Sequence, residues 1–353
     1  MHVLLISPSK EYPLFDVMRS GFQESNCEVD GFFTDDESDT RKNYIYRRSF
    51  PLSYASFTRT YWLKFQKQFY AEINQKILNK VQSKHFDLVL VYNDSFLLPK
   101  TLEVIKQKSK IAFYLGDSPF YTSNKPHFLK LLIAADFVFS PDSMWVTQLY
   151  NLGVSNIDFE LFGFNEKIFF QKEVTEQEKR KYSSDLAFIG RLTNSEWGLK
   201  KLLFLKPFLE FDFKIYGPSS WTRWIPDAPE LKDKLVILDN PLSLQQMNTI
   251  HNCAKLSPVD SNPGLLHGFH ARLLDCIGSG ILPLVEYGKD LDQVFGEGVV
   301  PTVHRYVEGK ELAAYYLAHE KERVEKVKTL QEICKSNYTP EKSAQRVLDR
   351  IFK

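Results

Sequence analysis

Cysteine is scarce. Cys27, Cys253, Cys276 and Cys334 are the chain's four, far apart and without the paired spacings of a zinc site or a disulfide framework. They read as reduced thiols. A surplus of charge is lacking too: 45 Lys and Arg stand against 44 Asp and Glu, so no global field draws the chain to nucleic acid or to an anionic membrane. No apolar run approaches the length of a membrane span. The opening MHVLLISPSKEYP has a short apolar run with no basic region before it, which suits a buried strand and not a secretory signal. Low-complexity tracts and short-period repeats are missing as well. These absences lead us to expect a soluble, cytoplasmic protein with no nucleic-acid partner.

What is present is enough chain, 353 residues, to bury large cores without disulfides or metal. The first half alternates short apolar runs (HVLLISPS, FDLVLVYND, SKIAFYLGD, ADFVFSPD) with longer amphipathic ones, the pattern of βαβ units and a parallel sheet. The runs end in Ser7, Asn93, Asp94, Asp117, Ser118 and Asp142, positions that fall at the carboxyl ends of strands, where open parallel sheets bind ligands. A charged stretch near residue 165 interrupts the alternation. It restarts with DLAFIGRL, FDFKIYGPS, KLVILDN, KLSPVD and ILPLVEY, and from Gly309 the sequence reads as two charged amphipathic helices. The expected fold is α/β, with two doubly wound Rossmann-like domains facing each other across a cleft. Residues 1–165 form the first, 166–335 the second, and 336–353 a helix that packs back on the first. One ligand partner would be held by each domain.

The stretch HGFHARLLDCIGSG, residues 267–280, concentrates the polar chemistry. A helix starting near Phe269 would put Arg272 and Asp275 on one face and offer free backbone N–H groups near Gly268 to an anion. Gly278 and Gly280 would close it. Phosphate at the helix mouth and hydroxyls on Asp275 are what a nucleoside-diphosphate sugar supplies.

With AKLSPVDSNPGLLHGFHARLLDCIGSGILPLVEY, the preceding DLAFIGRL and FDFKIYGPS, the first-half YLGDSP and the closing YTPEKSAQRVLD, the chain resembles the CgeB-like, spore-maturation type of glycosyltransferase in the GT-B superfamily. The resemblance implies the GT-B fold and transfer of a sugar from a UDP- or GDP-linked donor to a glycan, lipid-linked or protein acceptor. In related retaining enzymes two acids stand eight apart, the first on the transferred sugar and the second on the ribose. Asp275 matches the second, while His267 takes the place of the first, a departure that weakens the inference of retention more than that of transfer. The resemblance also implies basic residues at the diphosphate. Arg191, after Gly190 at a strand end, matches a common position, and Lys255 and Arg272 are the next candidates. A guanidinium grips two phosphate oxygens at once, so no divalent metal or other cofactor is expected. Adjacent Asp35 and Asp36 in TDDES form no Asp-x-Asp motif and read as a solvated loop.

The candidates are therefore His267, Asp117 and Arg191 for catalysis; Gly190, Arg191, Tyr216, Gly217, Asn240, Lys255, Gly268, Phe269, His270, Arg272 and Asp275 for the donor; and Ser7, Asn93, Asp94 and Asp117 for the acceptor. Each has a plainer reading. Asp275 suits a helix dipole, Arg191 a surface pair with Glu196, His267 and His270 ordinary loop positions, Asp117 a turn cap, and Glu286 either ribose or water. Basic residues interleave with aromatics over 41–60, through Arg41, Lys42, Arg47, Arg48 and Arg59, and fit a weak membrane-surface patch, an acceptor lid or a solvated face. In 61–80, Trp62, Phe65, Phe69, Ile73 and Ile77 read as the core-facing stripe of a helix. Competing functions are a GT-B-shaped epimerase or phosphorylase, and a binding protein without turnover.

Overall fold

The computed structural model describes residues 1–9, 13–37, 56–93, 96–120, 127–192 and 195–353, and these divide into two compact units. Asp94 and residues 41–55 of the basic and aromatic stretch lie outside the described residues.

The first unit is Met1–Phe162 with Pro340–Lys353. Its strands are β1 (His2–Ser7), β2 (Glu28–Phe33), β3 (Leu88–Tyr92), β4 (Lys110–Tyr114), β5 (Phe137–Ser140) and β6 (Ile157–Phe159), hydrogen-bonded in the order β2-β1-β3-β4-β5-β6. Every pairing is parallel. Parallel neighbours need crossover helices, which cover both faces of the sheet. That is why all five residues of β3, LVLVY, are buried. The crossover before β3 is the helix Ser56–Ser83, which buries Trp62, Phe69, Ile73 and Ile77 and half-buries Phe65, so this stripe faces the core. Asp35 and Asp36 sit in a helical turn, Thr34–Glu37, and not in a loop. Asp142 turned out to be a helix cap: its carboxylate accepts the N–H groups of Met144 and Trp145 at 2.8 and 3.1 Å.

The helix Pro340–Phe352 completes this unit. Ala344, Val347 and Leu348 join Phe22, Phe162 and the β1 and β3 side chains in one apolar cluster. Gly21 lets it approach, because a Cβ there would stand 2.1 Å from the Pro340 carbonyl oxygen. Arg346 grips Glu160 with Nε and Nη2, at 2.8 and 2.6 Å.

The second unit, Gly163–Thr339, holds β7 (Ser184–Ile189), β8 (Phe213–Gly217), β9 (Leu235–Ile237), β10 (Ala254–Val259), β11 (Leu282–Glu286) and β12 (Thr302–Val303). Their order, β12-β11-β10-β7-β8-β9, is that of the Rossmann fold, and the chain reverses direction across the sheet between β7 and β10. The tail contains three helices where two were expected: Glu308–Ala318, Glu320–Asn337 and Pro340–Phe352. His319 makes the extra break. It leaves helical geometry (φ −109°, ψ 67°) with its ring stacked on Tyr315 at 4.1 Å. Among the described residues, no helix is long and apolar enough to cross a membrane.

Candidate active site

A pocket of about 460 Å³ opens at the carboxyl ends of β7 and β8, walled also by the loop after β9 and the helix Arg272–Ser279. This is the switch point of the second sheet, where a doubly wound fold leaves a crevice for ligand. Of the predicted donor residues it gathers Gly190, Arg191, Tyr216, Gly217, Asn240, His270, Arg272 and Asp275. Two glycines bring the strand ends together. A Cβ on Gly217 would meet Trp221 Nε1 at 2.4 Å and the Gly190 oxygen at 2.5 Å. Trp221, wholly buried, donates its indole N–H to that same Gly190 carbonyl at 2.9 Å and so fixes the rim. Tyr216 is buried and directs its hydroxyl to the Tyr182 carbonyl, 3.4 Å away.

The electrostatic centre is a buried cluster. Arg272 Nη1 lies 3.0 Å from Asp260 Oδ1, with its guanidinium over the Phe188 ring at 4.6 Å. Lys201, from the helix Glu196–Leu205, approaches the other Asp260 oxygen at 3.5 Å and donates to the Arg191 carbonyl at 3.0 Å. Burial alone would raise the Asp260 carboxyl, but Arg272 and Lys201 hold it below the ordinary carboxylate range. Burial pushes the Lys201 ammonium down, against the pull of Asp260. Two cations share one carboxylate, and Arg191 is exposed at the rim with no carboxylate partner among the described residues. Asp239 is also on the wall, so the cations Arg191, Arg272 and Lys201 face the carboxylates Asp260 and Asp239, with burial driving Asp275 toward its neutral form; the surplus is about one positive charge, which favours an anion.

Asp275 lies one turn along the helix from Arg272. Burial raises its carboxyl to about 7, with Arg272 opposing the shift. His270 caps the same helix: its Nδ1 accepts the Arg272 backbone N–H at 3.1 Å. Burial, reinforced by Arg272, lowers its imidazole to about 3.

Four predicted donor-side residues lie elsewhere. The helix starts at Arg272, three residues later than expected, and the amides of Leu273 and Leu274 donate to the carbonyls of His270 and Ala271 at 3.0 and 2.8 Å. These satisfied groups do not form the amide-lined opening expected at Gly268. Gly268 is buried with its carbonyl against Gly288, where a Cβ would stand 2.5 Å away. Phe269 is buried with its ring 5.9 Å from Phe295. His267 is half-buried, its carbonyl accepts the Asp290 N–H at 2.9 Å, and it is not a wall of the pocket. Lys255 is a correction of position: as the second residue of β10 it stands at the amino end of the sheet and pairs with Asp185 at 2.7 Å, the wrong edge for this pocket. Glu286 does not face water. It accepts from Lys200 Nζ at 2.5 Å, the Ser261 N–H at 2.8 Å and the Tyr306 hydroxyl at 2.8 Å.

Sequence reading missed Lys201, Asp260 and Trp221. Lys201 sits in LKKLLFL, where a lysine reads as solvated, and Asp260 ends KLSPVD, a strand-end signal that was open to use.

In the first unit, Asn93 joins the ends of β3 and β4. Its amide donates to Asp117 Oδ2 at 3.0 Å, and its Oδ1 accepts the N–H groups of Gly116 and Asp117 at 2.8 and 3.3 Å. Asn93 (φ 50°) and Phe96 (φ 61°) are left-handed, a strained state for a bulky residue such as Phe96. Buried Asn74 holds the Phe96 carbonyl and the Leu98 N–H at 2.8 and 2.9 Å. Ser7, at the end of β1, is buried.

Residues 200–349 match the family described as glycosyl transferase-like. No curated protein matches the chain. Among solved structures it is similar to the sucrose-phosphate synthase of Thermosynechococcus elongatus (11% identity, 99% of this chain and 98% of that one, TM-score 0.71). It is also similar to a UDP-forming α,α-trehalose-phosphate synthase from Burkholderia vietnamiensis (12%, 99% and 99%, 0.70). An E. coli trehalose-6-phosphate protein bound with UDP-2-fluoro glucose is a third (12%, 100% and 99%, 0.66). The two Rossmann-like sheets are those of the GT-B fold. Over the matched segment, which lies mostly in the second unit, the chain is thus glycosyl transferase-like on that fold.

Proposed function

We propose that the protein transfers a sugar from a UDP- or GDP-linked donor to an acceptor hydroxyl, and that the pocket of the second unit holds the donor nucleotide. The carrying observation is the positive surplus around Arg272 and Arg191 beside a carboxyl, Asp275, of the kind that takes ribose hydroxyls. Arg191 and Arg272 are the groups to hold the diphosphate and stabilise the charge that builds as it departs, the largest single contribution such a site makes. With those cations in the role, no divalent metal is required by this reading. The loop through Asn240 faces the base.

His267 is the residue on the transferred sugar, by its match to the family's first acid, and the same resemblance supports a CgeB-like subtype and retention. The acceptor, a glycan, lipid-linked or protein hydroxyl, is assigned to Ser7, Asn93 and Asp117 of the first unit. Asn93 orients the Asp117 carboxylate, the base that transfer with inversion would use. Four free, buried cysteines agree with a cytoplasmic setting.

A thermal-shift panel of nucleoside diphosphates tests the donor site, because a ligand bound only by the native state raises its stability. UDP or GDP should raise Tm selectively, and a UDP- or GDP-sugar panel should then show slow hydrolysis or transfer. No shift with any diphosphate rejects the proposal. A shift without turnover on any donor identifies a binding protein.

A further inference from the structure

His270 carries information that its sequence position does not. A ring nitrogen that accepts a hydrogen bond cannot hold a proton, and Nδ1 of His270 accepts the backbone N–H of Arg272 at 3.1 Å. The ring is therefore neutral, and its one hydrogen is on Nε2. Burial beside the Arg272 guanidinium keeps it so, since a further cation would be both desolvated and repelled. Among the described residues Nε2 has no acceptor, and His270 forms part of the pocket wall with Arg272 and Asp275.

A neutral N–H pointed at a cationic pocket selects for an oxygen that accepts. The hydroxyls of a ribose need an acceptor such as Asp275 and are matched there. A nucleoside diphosphate's acceptor-only groups are its base carbonyls, which the reading above places at the loop through Asn240, and its phosphoryl oxygens, which belong beside Arg272, the helix residue whose amide His270 caps. We propose that His270, as its Nε2–H tautomer, binds a phosphoryl oxygen of the donor nucleotide, the tautomer being locked by the helix amide that the same ring caps. This inference rests on the nucleotide-sugar reading of the pocket. One side chain thus does two jobs with two nitrogens, closing the helix with one and addressing the ligand with the other. It adds a directed hydrogen bond without adding charge, a contact that Arg191 and Arg272 do not duplicate.

The two jobs separate by substitution. In His270→Asn the side-chain oxygen replaces Nδ1 as the cap but the distal N–H is gone; in His270→Gln an amide N–H reaches the Nε2 position and the cap is lost. Calorimetry with UDP and GDP should show about tenfold weaker binding for His270→Asn, the loss of one hydrogen bond, at an unchanged Tm. His270→Gln should bind within about threefold of the native protein, at a lowered Tm. Independently of any ligand, nitrogen NMR of the histidine-labelled free protein should show Nε2 protonated and Nδ1 bare. A proton on Nδ1, or an imidazolium at neutral pH, overturns the assignment, as does His270→Asn binding as tightly as the native chain. If the native protein binds neither UDP nor GDP, the donor-site proposal falls and this one with it; native binding that is indifferent to His270→Asn removes only the histidine.

Discussion

Arg272 Nη1 and Asp260 Oδ1 stand 3.0 Å apart in the floor of the second unit, both residues less than a tenth exposed. Asp260 also draws in Lys201, which in turn holds the Arg191 carbonyl. One carboxylate from the end of β10 therefore sets the position of the cations on three different segments. Removing it leaves Arg272 and Lys201 buried and uncompensated. Asp260→Ala should cost about 3 kcal/mol of stability, the scale for breaking a buried pair from one side. Urea unfolding measures this, and a loss under about 0.5 kcal/mol, the size of a surface change, would show the pair to be incidental.

Asp275 should give the stability an unusual pH dependence. Its folded carboxyl, at about 7, lies above the ordinary 3.8, so the native state holds a proton that the unfolded chain has released. The corresponding stability is complete below about pH 4 and is lost as pH rises through about 7. Relative to Asp275→Asn, which cannot titrate, the native protein should weaken steadily between about pH 4 and pH 7 and level off above that. A constant difference across that range would contradict the assignment.

The ligand-facing role of Asp275 is separable. Asp275→Ala should fold, yet bind nucleoside diphosphates more weakly by about 1 kcal/mol, the value of a hydrogen bond to a carboxyl that is not fully ionised at neutral pH. Isothermal calorimetry reads the loss; an unaltered dissociation constant removes Asp275 from the donor site.

Arg191 and Lys255 make a matched pair for testing position. Both were candidates for the diphosphate, but only Arg191 lines the pocket, and Lys255 is paired with Asp185 at the opposite end of its strand. Arg191→Ala should weaken nucleotide binding about tenfold with stability unchanged to within about 0.5 kcal/mol. Lys255→Ala should leave binding untouched. Equal effects would mean that net charge and not placement governs affinity.

Gly217→Ala should be disruptive out of proportion to one methyl group. The new carbon would fall 2.5 Å from a backbone oxygen, Gly190 O, and 2.4 Å from a fully buried indole, neither of which can swing away. Overpacking of this kind costs about 2 kcal/mol, measurable as a lowered unfolding midpoint.

Much of the fold was readable in advance because its central strands are covered on both sides. Runs such as LVLVY in β3 and DLAFI in β7 must be apolar throughout, and polar residues reappear where each strand ends. Marginal strands escaped notice for the converse reason: β2 carries Gly31 and is mostly half-buried, and β12 is two residues long. At the site, strand ends pointed to Gly190, Arg191, Tyr216 and Gly217, while helical spacing paired Arg272 with Asp275. What spacing cannot express is which group satisfies which. The helix starts late because Gly268 and Phe269 pack against Gly288 and Phe295, and a histidine caps it; both depend on partners about 20 residues away or on a ring nitrogen. Lys201 escaped because an amphipathic pattern offers no sign that two neighbouring lysines both turn inward, Lys200 to Glu286 and Lys201 to Asp260.

The return of Pro340–Phe352 to the first unit bears on how the chain matures. Ala344, Val347 and Leu348 plug the same apolar cluster as Phe22, yet a ribosome adds them only after all of Gly163–Thr339. The earlier half therefore cannot close its apolar cluster until the whole of the later half has been made.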